Sequence, residues 1–292
     1  MSTKETKAPP AVRTVALITH SHPPAASEAV AAAVSAAEAA DRRLVASAAE
    51  AAKLEGVAEG IEVTETLPPD PDLCLVLGGD GSILWALRQY AGTGVPVFGI
   101  NFGTVGFLAA AERDQLDEGL RRAFAGDFEV IDLPGLEVST GETKGLALND
   151  VTFIRRPQGR VAVLSYRIAG EEVGNVRCDG LVAATPPGST GYNLANGGPI
   201  LAWGVEGYVV SYIAPHTLTA RALVVAPEDV LRVGNAEGRD PVDVAIDGET
   251  LCELRAGGEA EVSFRQEAGR LAQLPGSSFY HRIGEKFGHL AH

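Results

Sequence analysis

The sequence is poor in cysteine. Its 292 residues include three cysteines, Cys74, Cys178 and Cys252, and no CxxC pair. An odd number of widely spaced cysteines argues against a disulfide framework and against a cysteine-based zinc site. The cysteine content therefore favours a reducing, cytoplasmic location.

Basic residues and long apolar runs are also scarce. Lys and Arg number 24 against 38 Asp and Glu, which gives a formal net charge of -14. A chain this acidic repels nucleic acid and anionic membranes as a whole, so phosphate binding needs a local basic site. No run approaches the roughly 18 apolar residues of a membrane span, and the N-terminus lacks the apolar core of a signal peptide. We therefore expect neither nucleic acid nor a membrane as a partner.

The first part of the chain alternates between two kinds of pattern. Short apolar strands are predicted at VRTVALITH, IEVTET, DLCLVLGG and VPVFGINFG. Helices are predicted for the alanine-rich residues 25–55, for 82–90 and for 114–127, because alanine has the highest helix propensity and apolar residues recur at helical spacing. Residues 1–11 are expected to form a loose tail. This alternation predicts a Rossmann-like parallel α/β domain.

After about residue 128 the pattern changes to short alternating segments split by Gly, Pro, Asn and Asp. FEVIDL, LEVST, VAVLSYRI, EEVGNV, VVSYI, ALVVAP, VDVAIDG and AEVSFRQ are of this kind. They predict an antiparallel β domain. The last stretch, SSFYHRIGEKFGHL, is predicted to be a helix that returns to the first domain. We therefore predict an α/β domain over 12–128 plus 273–292 and an all-β domain over 129–272.

Asp80 lies between glycines in VLGGDGSIL, where a predicted strand becomes a helix. Ligands of open α/β sheets bind at the carboxyl ends of the strands, and helix N-termini there receive phosphates. Flanking glycines permit a sharp turn and close approach of a ligand, while a carboxylate can accept a hydroxyl proton. The alternative is that Asp-Gly is only turn chemistry. The sequence leaves both interpretations open.

A second glycine-rich segment, INFGTVGFLA, follows the next predicted strand. It contains Asn101, Gly103 and Gly106, but it is not GxGxxG, and GxxxxGK[ST] occurs nowhere in the chain. The dinucleotide fingerprint and the Walker A loop are therefore both absent. Taken alone, this segment is best interpreted as a structural turn.

The longest motif is RCDGLVAATPPGSTGYNLANGGPI, at 177–200. It combines five glycines with many small hydrogen-bonding residues. Such a composition suits a surface that binds a polar ligand through backbone and hydroxyl groups. Long loops in compact domains are usually functional, which favours ligand binding over a simple β-turn excursion.

Together these motifs resemble the NAD kinases, which transfer a phosphoryl group from a nucleoside triphosphate to the 2′-hydroxyl of the NAD adenosine ribose. GGDG, NFGTVGFL and DG…TPPGSTGY…GGPI occur in the family's order and approximate spacing, from about Val12 to His281. Asn149-Asp150 looks like the family's Asn-Glu pair, and IAPHTLTAR looks like its Pro-His…Arg segment. GGDG alone is shared with lipid kinases and phosphofructokinases, whereas the Thr-Pro-x-Gly-Ser-Thr-x-Tyr stretch is highly specific.

The resemblance implies a role for each matching residue. Asp80 would be the general base that faces the ribose hydroxyl, and the glycines around it would shape the loop that the phosphates approach. Asn149 and Asp150 would hold the ribose or adenine, and Asp179 would hydrogen-bond the dinucleotide. The full set of implied nucleotide-binding residues is Gly78, Gly79, Gly81, Asn101, Asn149, Asp150, Arg177, Asp179, Ser189, Thr190, Gly191, Tyr192, Ala195 and Ala214.

Cofactors and assembly also follow from the resemblance. Family members use ATP, in some cases polyphosphate, with a divalent cation that is usually Mg²⁺, and they usually form dimers or tetramers. Mg²⁺ needs few protein ligands because phosphates and water supply most of its shell. This agrees with the lack of a metal-binding motif, so no residue is assigned to the metal.

Four arginines are candidate phosphate ligands: Arg155, Arg156, Arg160 and Arg177. Arginine suits bidentate phosphate contacts, and Arg177 is preferred because it lies two residues before Asp179. The alternative is a solvated hairpin edge. His216 is expected to have a structural hydrogen-bonding role.

Five positions depart from the family pattern. They are Asp150 for glutamate, Pro187 for threonine, Gly191 for alanine, Ala195 for a frequent serine, and Trp85 for a frequent basic residue after GGDG. A non-catalytic dinucleotide sensor is one alternative, although Asp80 is retained. A lipid or sphingoid-base kinase is another, although TPPGSTGY favours a dinucleotide.

Overall fold

The computed structural model describes residues 12–19, 23–54, 59–103, 106–157, 159–235 and 240–288, so the predicted tail lies outside the described residues. The strands are β1 (Thr14–Thr19), β2 (Arg43–Ser47), β3 (Glu62–Thr64), β4 (Leu73–Leu77), β5 (Pro96–Asn101), β6 (Ala111–Glu112), β7 (Glu129–Ser139), β8 (Lys144–Ala147), β9 (Asp150–Arg155), β10 (Ala162–Ile168), β11 (Glu171–Cys178), β12 (Gly180–Ala184), β13 (Tyr208–Ile213), β14 (Leu223–Val225), β15 (Leu231–Asn235), β16 (Val242–Ile246), β17 (Glu249–Leu254) and β18 (Glu259–Gln273). The α-helices are α1 (Pro23–Ala39), α2 (Ala48–Ala51), α3 (Asp80–Gln89), α4 (Leu116–Ala125), α5 (Tyr192–Ala195) and α6 (Phe279–Phe287).

The chain divides into two units, Met1–Asp132 with Gly269–His292, and Leu133–Ala268. In the first unit, a parallel sheet has the strand order β3-β2-β1-β4-β5, and residues 270–272 of β18 add to β5 in parallel. Strand β4 is buried along its whole length because it has neighbours on both edges and apolar side chains on both faces. The predicted parallel α/β sheet is confirmed.

The alanine-rich residues 25–55 differ from the single helical stretch that was predicted. Helix α1 ends at Ala39, and the chain turns through Asp41, which has a left-handed φ of 56°. It then enters β2, whose residues 44–47 are buried beside β1. Alanine propensity is a weak preference that tertiary burial can override. The prediction was therefore wrong for β2, and helix resumes only in the short α2.

The other elements of the first unit follow the predicted pattern. Helix α3 begins at Asp80, two residues before its predicted start at Ser82. Helix α4 ends at Ala125 and is followed by Gly126, whose φ of 72° provides a left-handed cap. Helix α6 is present within the predicted C-terminal stretch and packs on the first unit, as predicted, through Phe279 and Phe287 against Phe107.

The second unit consists of antiparallel strands. One sheet has the order β14-β13-β12-β9-β16-β17, and β11-β10-β15 continue to the first residues of β18. Alternating side chains such as Val151, Phe153, Leu164, Leu181 and Val233 meet in one buried core. The predicted antiparallel β domain is confirmed.

Residues 177–200 are not the long loop that was predicted. They contain the buried strand β12, a short 3₁₀ helix at Pro187–Thr190 and helix α5. Prediction failed here because the glycines were interpreted as loop residues. Gly180 instead packs tightly in the sheet, where an added Cβ would lie 2.4 Å from the Phe153 carbonyl oxygen.

No α-helix in the part of the chain that the structure describes is long and apolar enough to cross a membrane. The three cysteines are free, and two of them, Cys74 and Cys178, are buried.

Candidate active site

Asp80 lies at the carboxyl end of β4, where it is the first residue of α3. Gly78 ties this turn to the next strand: its N–H donates to the Ile100 carbonyl (3.0 Å), and its own carbonyl accepts from Phe102 (3.3 Å). Gly79 precedes the helix in an extended conformation, and Gly81 is exposed. The GGDG segment thus connects a buried strand to a helix N-terminus, as the sequence predicts.

Two backbone N–H groups orient the Asp80 carboxylate. Phe107 donates to Oδ2 at 2.7 Å, and Leu108 donates to Oδ1 at 3.1 Å. Gly106 allows this approach, because a Cβ at that position would lie 2.0 Å from Asp80 Oδ1. The turn at 106–108 is therefore built around Asp80. Sequence reasoning missed this function, although the glycine of GFL was a signal for it.

Asn101 supports the same corner of the first unit. It is 1% exposed; its Nδ2 donates to Glu112 (2.8 Å), and its Oδ1 accepts the Gly103 N–H (2.9 Å). Gly79 lies beside that oxygen, where an added Cβ would be 3.9 Å away. The structure thus brings Asn101 together with GGDG, where it links the end of β5 to β6.

A cavity of about 260 Å³ opens beside the N-terminus of α3, lined by Ile18, Thr19, Glu50, Lys53, Gly81, Ser82 and Trp85. The buried Glu50 carboxylate accepts the N–H and hydroxyl of Thr19 at 2.9 and 3.1 Å. It also holds Lys53 at 2.5 Å. Lys53 supplies a positive charge beside GGDG. The family resemblance implies a basic residue at position 85, where this chain has Trp85. Sequence reasoning did not identify Lys53 or Glu50.

In the second unit, the turn at Asn149-Asp150 is clamped from two sides. The Asp247 carboxylate accepts the N–H groups of Leu148, Asn149 and Asp150 at 3.0, 2.7 and 3.1 Å. The Thr185 hydroxyl lies 2.7 Å from the Leu148 carbonyl oxygen and 3.1 Å from that of Asn149. These contacts fix the backbone of the pair and leave Asn149 half-buried.

Asp150 has an unusual electrostatic environment. Its side chain is 8% exposed, and burial raises its pKa from 3.8 to about 7, with a further contribution from the negative charge of Asp247. Asp150 therefore exchanges a proton near neutral pH. Groups with strongly shifted pKa values cluster at functional sites, although structural ion-pair networks also shift pKa values.

The predicted residues at 189–195 differ in their exposure to solvent. Ser189 is fully buried; its hydroxyl donates to Pro186 (2.6 Å) and accepts from Leu201 (2.9 Å), so it shapes the loop. Thr190 is half-buried and bonds Pro187 (2.9 Å). The exposed members are Gly191, Tyr192 and Ala195.

Asp179 lies between β11 and β12 and pairs with Arg155, with Nε 2.6 Å from Oδ1. The hydrogen bond from Arg155 lowers the pKa of Asp179. The preferred arginine, Arg177, is exposed, and its carbonyl accepts the His216 N–H at 2.7 Å. Arg155 is therefore the arginine that contacts Asp179. Ala214, in a left-handed conformation with φ 44°, is exposed.

Comparison with known proteins identifies the family. Residues 26–128 match the ATP-NAD kinase N-terminal domain, and residues 148–273 match the ATP-NAD kinase C-terminal domain. An NAD kinase of Lachnoclostridium phytofermentans is 34% identical over 233 residues, which cover 76% of this chain and 82% of that protein. An NAD kinase of Rhodopirellula baltica is 36% identical over 222 residues, 74% of this chain and 71% of the relative.

The chain belongs to the NAD kinase family. It is accordingly a kinase enzyme.

Solved NAD kinase structures agree with this fold. Yeast NADH kinase, solved in complex with NADH, has a TM-score of 0.85 at 21% identity and covers 96% of this chain and 89% of its own. An NAD kinase from Archaeoglobus fulgidus, solved in complex with ATP, has a TM-score of 0.72 at 24% identity, covering 94% of this chain and 97% of its own. The parallel-rich α/β sheet and the antiparallel β sheet of this chain therefore match the two-domain NAD kinase fold.

Proposed function

We propose that the protein phosphorylates the 2′-hydroxyl of the adenosine ribose of NAD, with ATP as donor, and forms NADP. Membership of the NAD kinase family supports the reaction class. The observation that carries the proposal is the Asp80 carboxylate, fixed at a helix N-terminus by Phe107 and Leu108. We assign Asp80 as the general base.

The geometry of Asp80 suits proton transfer. Each carboxylate oxygen accepts one backbone N–H, and an ionised carboxylate has acceptor capacity beyond these two bonds. Asp80 would take the proton of the ribose hydroxyl as that oxygen bonds the γ-phosphorus of ATP. The bond between the γ-phosphorus and its bridging oxygen breaks, ADP leaves, and Asp80 later gives the proton to solvent.

The phosphates need cationic and backbone partners. Lys53, the Ser82 side chain and the N-terminus of α3 surround the cavity beside GGDG. N–H groups at a helix N-terminus and an ammonium group both favour phosphate. We therefore propose that Gly78, Gly79 and Gly81 shape the approach of the phosphates, with Asn101 supporting their turn.

The second unit would bind the dinucleotide. We propose ribose and adenine contacts for the clamped pair Asn149-Asp150 and hydrogen bonding for Asp179. The remaining proposed contact residues are Arg177, Ser189, Thr190, Gly191, Tyr192, Ala195 and Ala214. Of the last group, Ser189 would act through loop shape, since its hydroxyl is buried. In domain terms, we propose that 12–128 plus 273–292 carry GGDG and that 129–272 bind NAD.

A divalent cation, Mg²⁺ above all, would accompany ATP. No group of three His, Cys, Asp or Glu side chains within the described ranges could hold a metal ion. An ion held mainly by the phosphates and water needs few protein ligands, so we assign it no residue of this chain. When bound, the ion neutralises phosphate charge.

We also propose a homodimer or homotetramer located in the cytoplasm, with no nucleic-acid or membrane partner. The net charge of -14 supports the proposed absence of nucleic-acid and membrane partners, because it opposes association with polyanions. Light scattering coupled to size-exclusion chromatography tests the assembly.

The experiment is NADP formation by the purified protein with NAD, ATP and Mg²⁺, compared between the wild type and Asp80→Asn. We expect kcat to fall by about 10²–10⁴-fold in the variant, with NAD binding retained. Polyphosphate and NADH then replace ATP and NAD to establish donor and acceptor preference.

Asp72→Asn is a matched control. Asp72 also accepts two backbone N–H groups, from Arg13 (2.9 Å) and Thr14 (2.8 Å), but it precedes β4 at the opposite end of the strand from Asp80. Both variants lose a carboxylate that orders backbone, but only Asp80→Asn removes the proposed base, so only that variant should show the fall in kcat. Unchanged turnover in Asp80→Asn would refute the base. If the wild type binds NAD but forms no NADP, the alternative of a non-catalytic dinucleotide sensor would be favoured.

A further inference from the structure

Helix α6 contacts the turn that orients Asp80. Phe107 is 4% exposed, and its ring lies 6.3 Å from that of Phe279 and 6.1 Å from that of Phe287. Lys286 Nζ lies 4.4 Å from the centre of the same ring. Three side chains of the C-terminal helix therefore surround Phe107, whose N–H group holds Asp80.

Polar contacts from the C-terminal segment reach the backbone of the same turn. Arg282 is 8% exposed, and its guanidinium donates to the Phe107 carbonyl (2.8 Å), to the Ser277 hydroxyl (2.8 Å) and to the Gln273 side-chain oxygen. Gln273 is 2% exposed and donates to the Leu108 carbonyl at 2.9 Å. The carbonyls of Phe107 and Leu108 are thus both bonded by the C-terminal segment, while the N–H groups of the same two residues bind Asp80.

One peptide group connects the two sets of contacts. The Phe107 carbonyl and the Leu108 N–H belong to the same planar peptide, so a rotation that breaks the bond from Arg282 also moves the bond to Asp80. A donor on the carbonyl side also strengthens the bond that the N–H makes, because hydrogen bonds in a chain polarise one another.

Packing alone does not account for a charged side chain at the buried position of Arg282. Burying a guanidinium costs solvation energy, which an apolar side chain in this place would avoid. The negative charges that act on Arg282 include those of Asp80, Glu112 and Glu285. Arg282 thus interacts with the charge of Asp80 and also hydrogen-bonds the Phe107 carbonyl in the turn that orients it.

We propose that Arg282, together with Gln273, is a positioning residue for Asp80. It fixes the peptide between residues 107 and 108, and this peptide fixes the carboxylate. The C-terminal helix thereby contributes to the rate of phosphoryl transfer without touching substrate. The inference rests on the proposed function of Asp80.

The test compares Arg282→Met, Arg282→Lys and the wild type in NADP formation with saturating NAD, ATP and Mg²⁺. Methionine fills similar space but removes the charge and the hydrogen bonds. We expect kcat to fall by about 10- to 100-fold, with KM for NAD within about threefold, because misplacing a catalytic group costs rate more than binding. Lysine keeps the charge and one of the donors, so Arg282→Lys should recover part of kcat.

Two controls separate positioning from a general loss of stability. His281→Ala changes an exposed residue on the same helix and should leave kcat unchanged. Asp72→Asn perturbs the same unit away from Asp80 and should retain kcat below its own melting temperature. If Arg282→Met does not fold, Arg282→Lys and Gln273→Met test the inference instead. In each variant, kcat should fall by a larger factor than the factor by which KM changes.

Wild-type kcat in a folded Arg282→Met or Gln273→Met variant would overturn the inference. A rise in KM with unchanged kcat would also overturn it. Neither result would affect the proposed function, which instead fails if the wild type forms no NADP.

Discussion

Asp150 gives a prediction that depends on the charge state of one buried side chain. Burial, reinforced by Asp247, raises the pKa of Asp150 from 3.8 to about 7 in the folded protein. Between these values the folded state retains a proton that the unfolded state has lost. Stability attributable to Asp150 therefore falls as pH rises through this window, and the full cost is present above about pH 7.

The size of the effect follows from the shift. A difference of about 3 pH units at about 1.4 kcal/mol per unit gives a cost of about 4 kcal/mol at alkaline pH. Asp150→Asn removes the ionisation and keeps the shape of the side chain. The variant should match the wild type near pH 4 and become more stable than it by up to about 4 kcal/mol near pH 8.

Urea titrations of the unligated protein across this pH range measure the difference. Asp179→Asn is a control of opposite sign, because Arg155 lowers the pKa of Asp179. That pair stabilises the fold above pH 3.8 and loses its contribution as pH falls, so the control should be less stable than the wild type at pH 8 and converge with it in acid. A difference between Asp150→Asn and the wild type that stays constant with pH would refute the reasoning.

Further predictions concern close packing and buried charge. Gly106→Ala places a Cβ 2.0 Å from Asp80 Oδ1, so we expect kcat to fall by about 100-fold, whereas Gly284→Ala, with nothing within 4 Å, should keep kcat and stabilise α6 by up to about 1 kcal/mol. Wild-type kcat in Gly106→Ala would contradict the role of the 106–108 turn. Glu50→Ala removes the acceptor of the buried Thr19 N–H and should lower the free energy of unfolding by about 2–3 kcal/mol in urea titrations, with Glu50→Gln recovering part of it. Equal losses in Ala and Gln would show that the bond to Thr19 is not the cause.

Local patterns were sufficient for much of the fold. The apolar run at β4 and the apolar stretch at β5 predicted buried parallel strands, because a strand covered on both faces needs apolar side chains throughout. Segments of alternating apolar and polar residues predicted the antiparallel unit, because one face of such a strand packs on the core and the other faces solvent. The β2 strand escaped prediction because its alanine and serine content resembles the preceding helix, and it becomes a strand through pairing with β1 and β3.

The candidate site was predictable where a motif is continuous. GGDG identified Asp80 at a strand end, and TPPGSTGY identified the region that packs beside Asn149. The support for these residues was not predictable. Asp247 lies 98 positions from Asn149 along the chain, and no spacing rule connects the two. Arg155 was one of four candidate arginines, and only the fold shows that it pairs with Asp179.

The sequence by itself determined the two kinds of domain, the family and the position of Asp80, because periodicity and short motifs are written in neighbouring residues. Only the tertiary structure decided which groups hold those residues in place. The bond from Arg282 to Phe107 spans 175 positions, and a contact of that length depends on the sheet and helix that bring its ends together. The pKa of Asp150 likewise depends on burial that the folded chain creates.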